Sequence, residues 1–505
     1  MRLVVIGSGF GGLAAAIRLQ AQGHDVTVLE KLDGPGGRAY AFRRAGFTFD
    51  AGPTIVTAPW MIDDVFAAAG RATADYVSLV PLDPFYCVRF EDGSVFRYSG
   101  NREAMREEVR RFNPGDVRGF DRFVRAAQRV FAAGFPLIDH PFNTMGPMLK
   151  VFPSLVRVRA DRSVAAMAAH YLADERLRQV FSFHPLLVGG NPFRASAMYA
   201  LIHVLEQRGG VWFAMGGTGA LVQGLARCLT DIGGEIRYDR EVEAITLSAD
   251  GRRATGVRLR DGEVIPADAV VCNADTAQAL HSLLPESARP AMTDAKIARY
   301  RYSMSLFVVY FGTNVRYPQL GHHELLLGPR YRELLEDVFE RKVLADDFSL
   351  YLHHPTVTDP SLAPEGHDAF YALSPVPNLA GRVDWERAGE RYRDRIMGYL
   401  ERRWLPDLSS HVVHEHRVDP RYFRHTLNSW LGAGFGPEPT LLQSAYFRPH
   451  SQSRDIPNLY FCGAGPHPGA GIPGVLASGK IVATLVGPAS RAPRAVTPRP
   501  VEVGT

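Results

Sequence analysis

Residues 3–30 read "LVVIGSGFGGLAAAIRLQAQGHDVTVLE", and this stretch decides the fold. Leu3 to Ile6 is an apolar run of buried-strand length. It breaks into a glycine turn that carries G-x-G-x-x-G as Gly7, Gly9 and Gly12. A helix follows, with a small Ala14–Ala16 face for close sheet contact and Gly23 placed to stop it. A second strand, "DVTVLE", ends at Glu30. Gly7 permits the tight turn, Gly9 lets backbone approach a pyrophosphate, and Gly12 lets the helix pack on its strand. The helix N-terminus offers free N–H groups and the positive end of its dipole. Glu30 stands where an acid accepts hydrogen bonds from ribose hydroxyls. The spacing predicts a Rossmann-type βαβ unit and an α/β fold.

The fingerprint alone does not choose between NAD and FAD. A second glycine turn, "KLDGPGGRAY" (31–40), holds Gly36, Gly37 and Arg38. An arginine on such a turn suits a larger cofactor that runs past the first site, with Arg38 as phosphate or ribityl contact. Far along the chain, "GAGPHPGAGIPGV" (463–475) follows the apolar "IPNLYFC" and precedes a helical pattern. Strand, glycine turn and helix again predict backbone N–H groups beside the same cofactor. A third cluster, "AMGGTGALVQG" (214–224), lacks the third glycine and the acid-ended strand, and predicts only a strand-to-helix turn.

The chain has 505 residues, a net charge of +4 and 57 basic against 53 acidic residues, which excludes a dedicated nucleic-acid binder. Four scattered cysteines show no C-x-x-C or zinc spacing and read as buried thiols. The strand at residue 3 leaves no room for a signal peptide, and no apolar run approaches the ~18 residues of a spanning helix. His322, His323, His353, His354, His411, His414 and His416 fall in short clusters without metal spacing, so no metal site is expected. Residues 113–210 are helix-rich, and 137–162 mixes bulky apolar groups with Lys150, Arg157, Arg159 and Arg162. That pattern suits a helical cap on the core or an anionic lipid surface. Residues 487–505, rich in proline, arginine and alanine, read as a disordered tail.

The chain resembles the bacterial carotenoid desaturases, the phytoene desaturases among them. "GSGFGGLAAAIRLQ", "PGGRAY", "GFTFDAGPT", "LRQVFSFHPLLVGGNPF", "GVWFAMGGTGALVQGLA", "FSLYLHHPTVTDPSLAPEG" and "GAGPHPGAGIPGV" are similar to that family in order from residue 1 to about 485. The resemblance implies an amine-oxidase-like FAD-binding domain (1–70, 211–298, 425–486), an α+β substrate domain (71–112, 299–424) and a membrane-associating helical region (113–210). It implies FAD held by Gly7, Gly9, Phe10, Gly11, Gly12, Glu30, Lys31, Gly37, Arg38, Pro53, Thr54, Val242, Gly463, Ala464, Gly471, Ile472 and Val475. It implies desaturation of phytoene to lycopene, with three-step desaturation to neurosporene, another carotenoid desaturase or isomerase of the family, or a non-catalytic lipid-binding protein as alternatives. Electrons would pass to oxygen or a membrane quinone, and the protein would sit in the cytoplasm on the inner face of the cell membrane. The acid-x-x-Arg pair of some members falls at Pro147 and Lys150, so no catalytic residue carries over. Pro466 replaces the family's threonine.

Overall fold

The computed structural model describes residues 1–489, so most of the 487–505 stretch lies outside the described residues; Ala489 donates its N–H to the Gln22 carbonyl at 3.0 Å. Strand Arg2–Ile6 runs parallel to Asp25–Leu29 on one side and to Ala269–Cys272 on the other. Glu235–Arg237 and Leu459–Phe461 complete a five-stranded parallel sheet as its two edges. The first strand shows why its run is continuously apolar, because both faces are covered. Leu3 and Val5 pack with helix Phe10–Ala21, while Val4 and Ile6 pack with the three-stranded antiparallel sheet 242–266. Helix Ile472–Val486 lies against Phe10–Ala21 at glycine range: a Cβ on Gly479 would stand 2.8 Å from the Ala15 nitrogen. That helix begins at Ile472, so Ile472 to Val475 form its first turn rather than an extended segment. An Asp261-Gly262 turn joins Ala254–Leu259 to Val264–Pro266, with Gly262 at φ +93°.

A second, seven-stranded mixed sheet is assembled from residues 86–98 and 305–418. Its strand Ser305–Thr313 is buried on both faces. Phe307, Val309 and Phe311 meet helix Trp385–Arg403, and Leu306, Val308 and Tyr310 meet the large core shared with the helical region. That region includes Val117–Gly134, Met145–Arg157 and Leu201–Gly209.

Candidate functional site

The strand order switches sides at Arg2–Ile6, between Asp25–Leu29 and Ala269–Cys272, and this opens a crevice beyond the carboxyl ends of the parallel strands, where ligands of open α/β sheets bind. Gly7 enters it at φ +92°, and its N–H donates to the Leu29 carbonyl at 2.8 Å. The glycines on this turn face Asn273, at the end of strand Ala269–Cys272. A Cβ on Gly9 would sit 2.8 Å from the Asn273 amide nitrogen, and one on Gly11 would sit 2.8 Å from the Gly463 nitrogen. A Cβ on Gly12 would collide with the Gly7 carbonyl oxygen. The two glycine-rich ends of the chain therefore touch each other at Gly11 and Gly463. Asn273 is the pin between them, and the sequence reading missed it; its one signal is a polar residue directly after a buried parallel strand.

Glu30 is buried, and its carboxylate accepts from the Ser8 N–H, the Ser8 hydroxyl and the Leu32 N–H at 2.9, 2.7 and 3.0 Å. Lys31 reaches the Asn428 side chain at 3.2 Å, and burial lowers its pKa. Arg38 donates through Nη2 to the Ser429 hydroxyl at 2.7 Å and stands 3.8 Å from Asp275. Its buried Nε has no hydrogen-bond partner among the described residues. Burial lowers the Arg38 pKa, and Asp275 opposes that change. Gly37 (φ +55°) supports this turn. Val242 opens a strand at the crevice, and Phe10, Gly463, Ala464, Gly471, Ile472 and Val475 line it with Lys31 and Arg38. Thr54 lies deeper, its hydroxyl between those of Tyr351 and Tyr371 at 2.8 Å each, and the Pro53 carbonyl accepts from Thr218 at 2.7 Å.

The third glycine cluster is occupied by the protein itself. Asp50 accepts from the Thr218 and Gly219 N–H groups at 2.9 and 3.0 Å, capping helix Thr218–Asp231 with a carboxylate. Desolvation raises the Asp50 pKa to about 6 against the pull of those two N–H groups.

The crevice continues into a cavity between the large sheet and the helical region, and the two together enclose about 610 Å³. Its far walls are apolar: Phe183, Leu186, Leu187, Leu201, Ile202, Leu205, Leu306 and Leu325. One carboxylate on the helical side, Glu206, lines it. It is fully buried, accepting from the Tyr86 hydroxyl at 2.7 Å and facing His184 Nε2 at 3.1 Å. Met148, Val151 and Leu155 of helix Met145–Arg157 close the outer end. The opposite side of that helix exposes Met145, Leu149, Phe152 and Val156, a single stripe at helical spacing. Lys150, at the carried-over arginine position, is exposed and away from the cavity.

The model of the flavin-containing amine oxidoreductases matches residues 10–487. The chain belongs to that family. Within the flavin-containing amine oxidoreductases it groups with the bacterial phytoene desaturases. It is 48% identical to the lycopene-forming phytoene desaturase of Pseudescherichia vulneris, over 96% of this chain and 99% of that one. It is 45% identical to the neurosporene-forming phytoene desaturase of Rhodobacter capsulatus, over 98% of this chain and 95% of that one. The fold is similar to an oxidoreductase from Methanosarcina mazei, with a TM-score of 0.65 and 18% identity over 96% and 100% of the two chains. A putrescine oxidase variant redesigned at its cofactor site gives 0.64 and 14% identity, over 96% and 98%. Membership makes FAD the cofactor. The side-chain-free glycine cradle, the buried acid and the free Arg38 Nε fit an extended dinucleotide with an anionic centre.

Proposed function

We propose that the protein desaturates phytoene to lycopene, and that the observation carrying this is the continuity of the glycine cradle with an apolar cavity. The activities of its relatives support the substrate; a hydrocarbon needs no polar recognition, and the cavity wall offers it little. FAD would be held by the glycine, acid and arginine residues of the crevice, in the domain division expected from the sequence. Bound there, it would supply an acceptor for one hydride equivalent, the two electrons of each desaturation.

Each desaturation breaks two C–H bonds on neighbouring carbons and forms one C=C bond. One hydrogen leaves with its electron pair, and the other leaves as a proton. The apolar wall orients the chain and excludes water, so the proton has to pass to a protein group. Glu206 is that base, with Tyr86 and His184 fixing its carboxylate and sharing the incoming proton.

The exposed stripe 145–156 rests on the lipid surface of the inner cell membrane, where the substrate dissolves. Among the described residues no helix is long and apolar enough to cross a membrane, so contact is interfacial. Lys150 and Arg157 flank the stripe and suit anionic headgroups. Entry past Met148 and Leu155 would carry substrate directly from lipid to cavity. Reducing equivalents then leave to oxygen or a quinone. Expression in a phytoene-accumulating bacterium tests the assignment: red pigment supports lycopene, yellow indicates the three-step neurosporene product, and colourless cells holding flavin-loaded protein refute desaturation.

A further inference from the structure

Taken one pair at a time along the chain, His322-His323 and His353-His354 predict no metal site. The seven-stranded sheet joins them. Antiparallel pairing sets His323 directly opposite His353, and His322, one residue before its strand, turns to the same point. Nε2 of His322 lies 3.2 Å from Nε2 of His353. One ring nitrogen from each of the three residues lies within 4.8 Å of one from each of the others. His322, His323 and His353 are 7%, 2% and 1% exposed as residues. Two of them are tethered through the other nitrogen: His322 Nδ1 meets the Thr358 hydroxyl and His323 Nδ1 meets the Tyr351 hydroxyl, both at 2.7 Å. Those tethers leave Nε2 free on each ring. One shared hydrogen satisfies the His322–His353 pair, yet His323 Nε2 is buried with no partner among the described residues. Packing alone does not explain a buried ring nitrogen left unpaired beside two others.

We propose that Nε2 of His322, His323 and His353 form a binding site for a divalent first-row transition ion, with zinc the best match. Imidazole ligands suit zinc and its neighbours, whereas calcium and magnesium require oxygen. A tetrahedral ion with Zn–N of about 2.0–2.1 Å separates its ligand nitrogens by about 3.3 Å. The His322–His353 spacing already meets this, and His323 closes by on the order of an ångström. Thr358 and Tyr351 are then the outer groups that orient the ligand rings. Tyr351 also meets Thr54 on the cavity wall, so the ion clamps two strand ends behind that wall. None of the three histidines lines the crevice or its cavity, and the site holds whether or not the polyene assignment does.

The test is metal analysis of the full-length, flavin-loaded protein, purified without metal-affinity resin after growth with added zinc. About one zinc per chain is expected, falling at least tenfold in H322Q, H323Q and H353Q while H414Q retains it. Flavin absorbance and circular dichroism identify variants that keep the fold. Should none keep it, zinc-edge X-ray absorption of the wild type decides, with about three imidazole nitrogens at about 2.0–2.1 Å expected. Wild-type protein that neither carries nor takes up zinc, retention unchanged in the folded variants, or an oxygen-only shell overturns the proposal.

Discussion

Glu30 accepts two hydrogen bonds from Ser8, one from its backbone N–H at 2.9 Å and one from its hydroxyl at 2.7 Å. The acid that ends the second strand is thus bonded to the turn that follows the first. It shapes the cradle, and in the proposed FAD site its remaining lone pairs would accept from a ribose. Hydrogen bonds to charged groups contribute about 1.5–3 kcal/mol each. Glu30→Ala should weaken FAD retention at least tenfold and lower stability by about 2 kcal/mol, read from the flavin-to-protein ratio and denaturant unfolding. Glu30→Gln should recover part of the stability and less of the flavin.

Glu206→Gln keeps the size and the Tyr86 contact but removes the base. Turnover of phytoene in liposomes should fall about 100-fold or more, with flavin content unchanged. Glu206→Asp should restore part of the rate. Full turnover in the glutamine variant would remove Glu206 from the reaction.

Leu149 and Phe152 stand at the centre of the exposed stripe, 68% and 58% exposed. Burying each in lipid contributes about 1.5–3 kcal/mol. Leu149→Glu with Phe152→Glu should cut co-flotation with anionic vesicles at least 100-fold without lowering the thermal midpoint. Equal flotation would contradict the orientation proposed.

Within the 463–475 loop, His467 meets the Leu137 carbonyl through Nε2 at 3.0 Å, and burial lowers its pKa from 6.5 to about 4. A folded value below the unfolded one means the unfolded chain binds more protons between those limits. The resulting stability is complete above pH 6.5 and is lost as pH falls toward 4. The loss reaches about 2 kcal/mol by pH 5. Unfolding of His467→Gln, which keeps the donor, should be correspondingly less steep between pH 7 and 5.

The parallel sheet and the first half of the cradle were legible because strand, turn and helix there are contiguous and each residue type has one use. The 214–224 cluster was also legible by what it lacked, although its real anion, Asp50, is distant in sequence and could not be named. Asn273, Glu206 and the joined histidines were hidden for the same reason. Their roles depend on register and on neighbours that only the folded sheets bring together. The exposed stripe fell between these cases. The mix of apolar and basic residues at 137–162 pointed to a cap or a lipid surface, but the side facing the cavity and the side facing solvent follow from packing.

Purified, FAD-loaded protein mixed with liposomes containing 15-cis-phytoene puts the desaturation itself to the test. Loss of phytoene and growth of the long-wavelength absorption of lycopene, dependent on bound FAD, is the expected result. Phytoene left unchanged beside folded, flavin-loaded, vesicle-bound protein would contradict it.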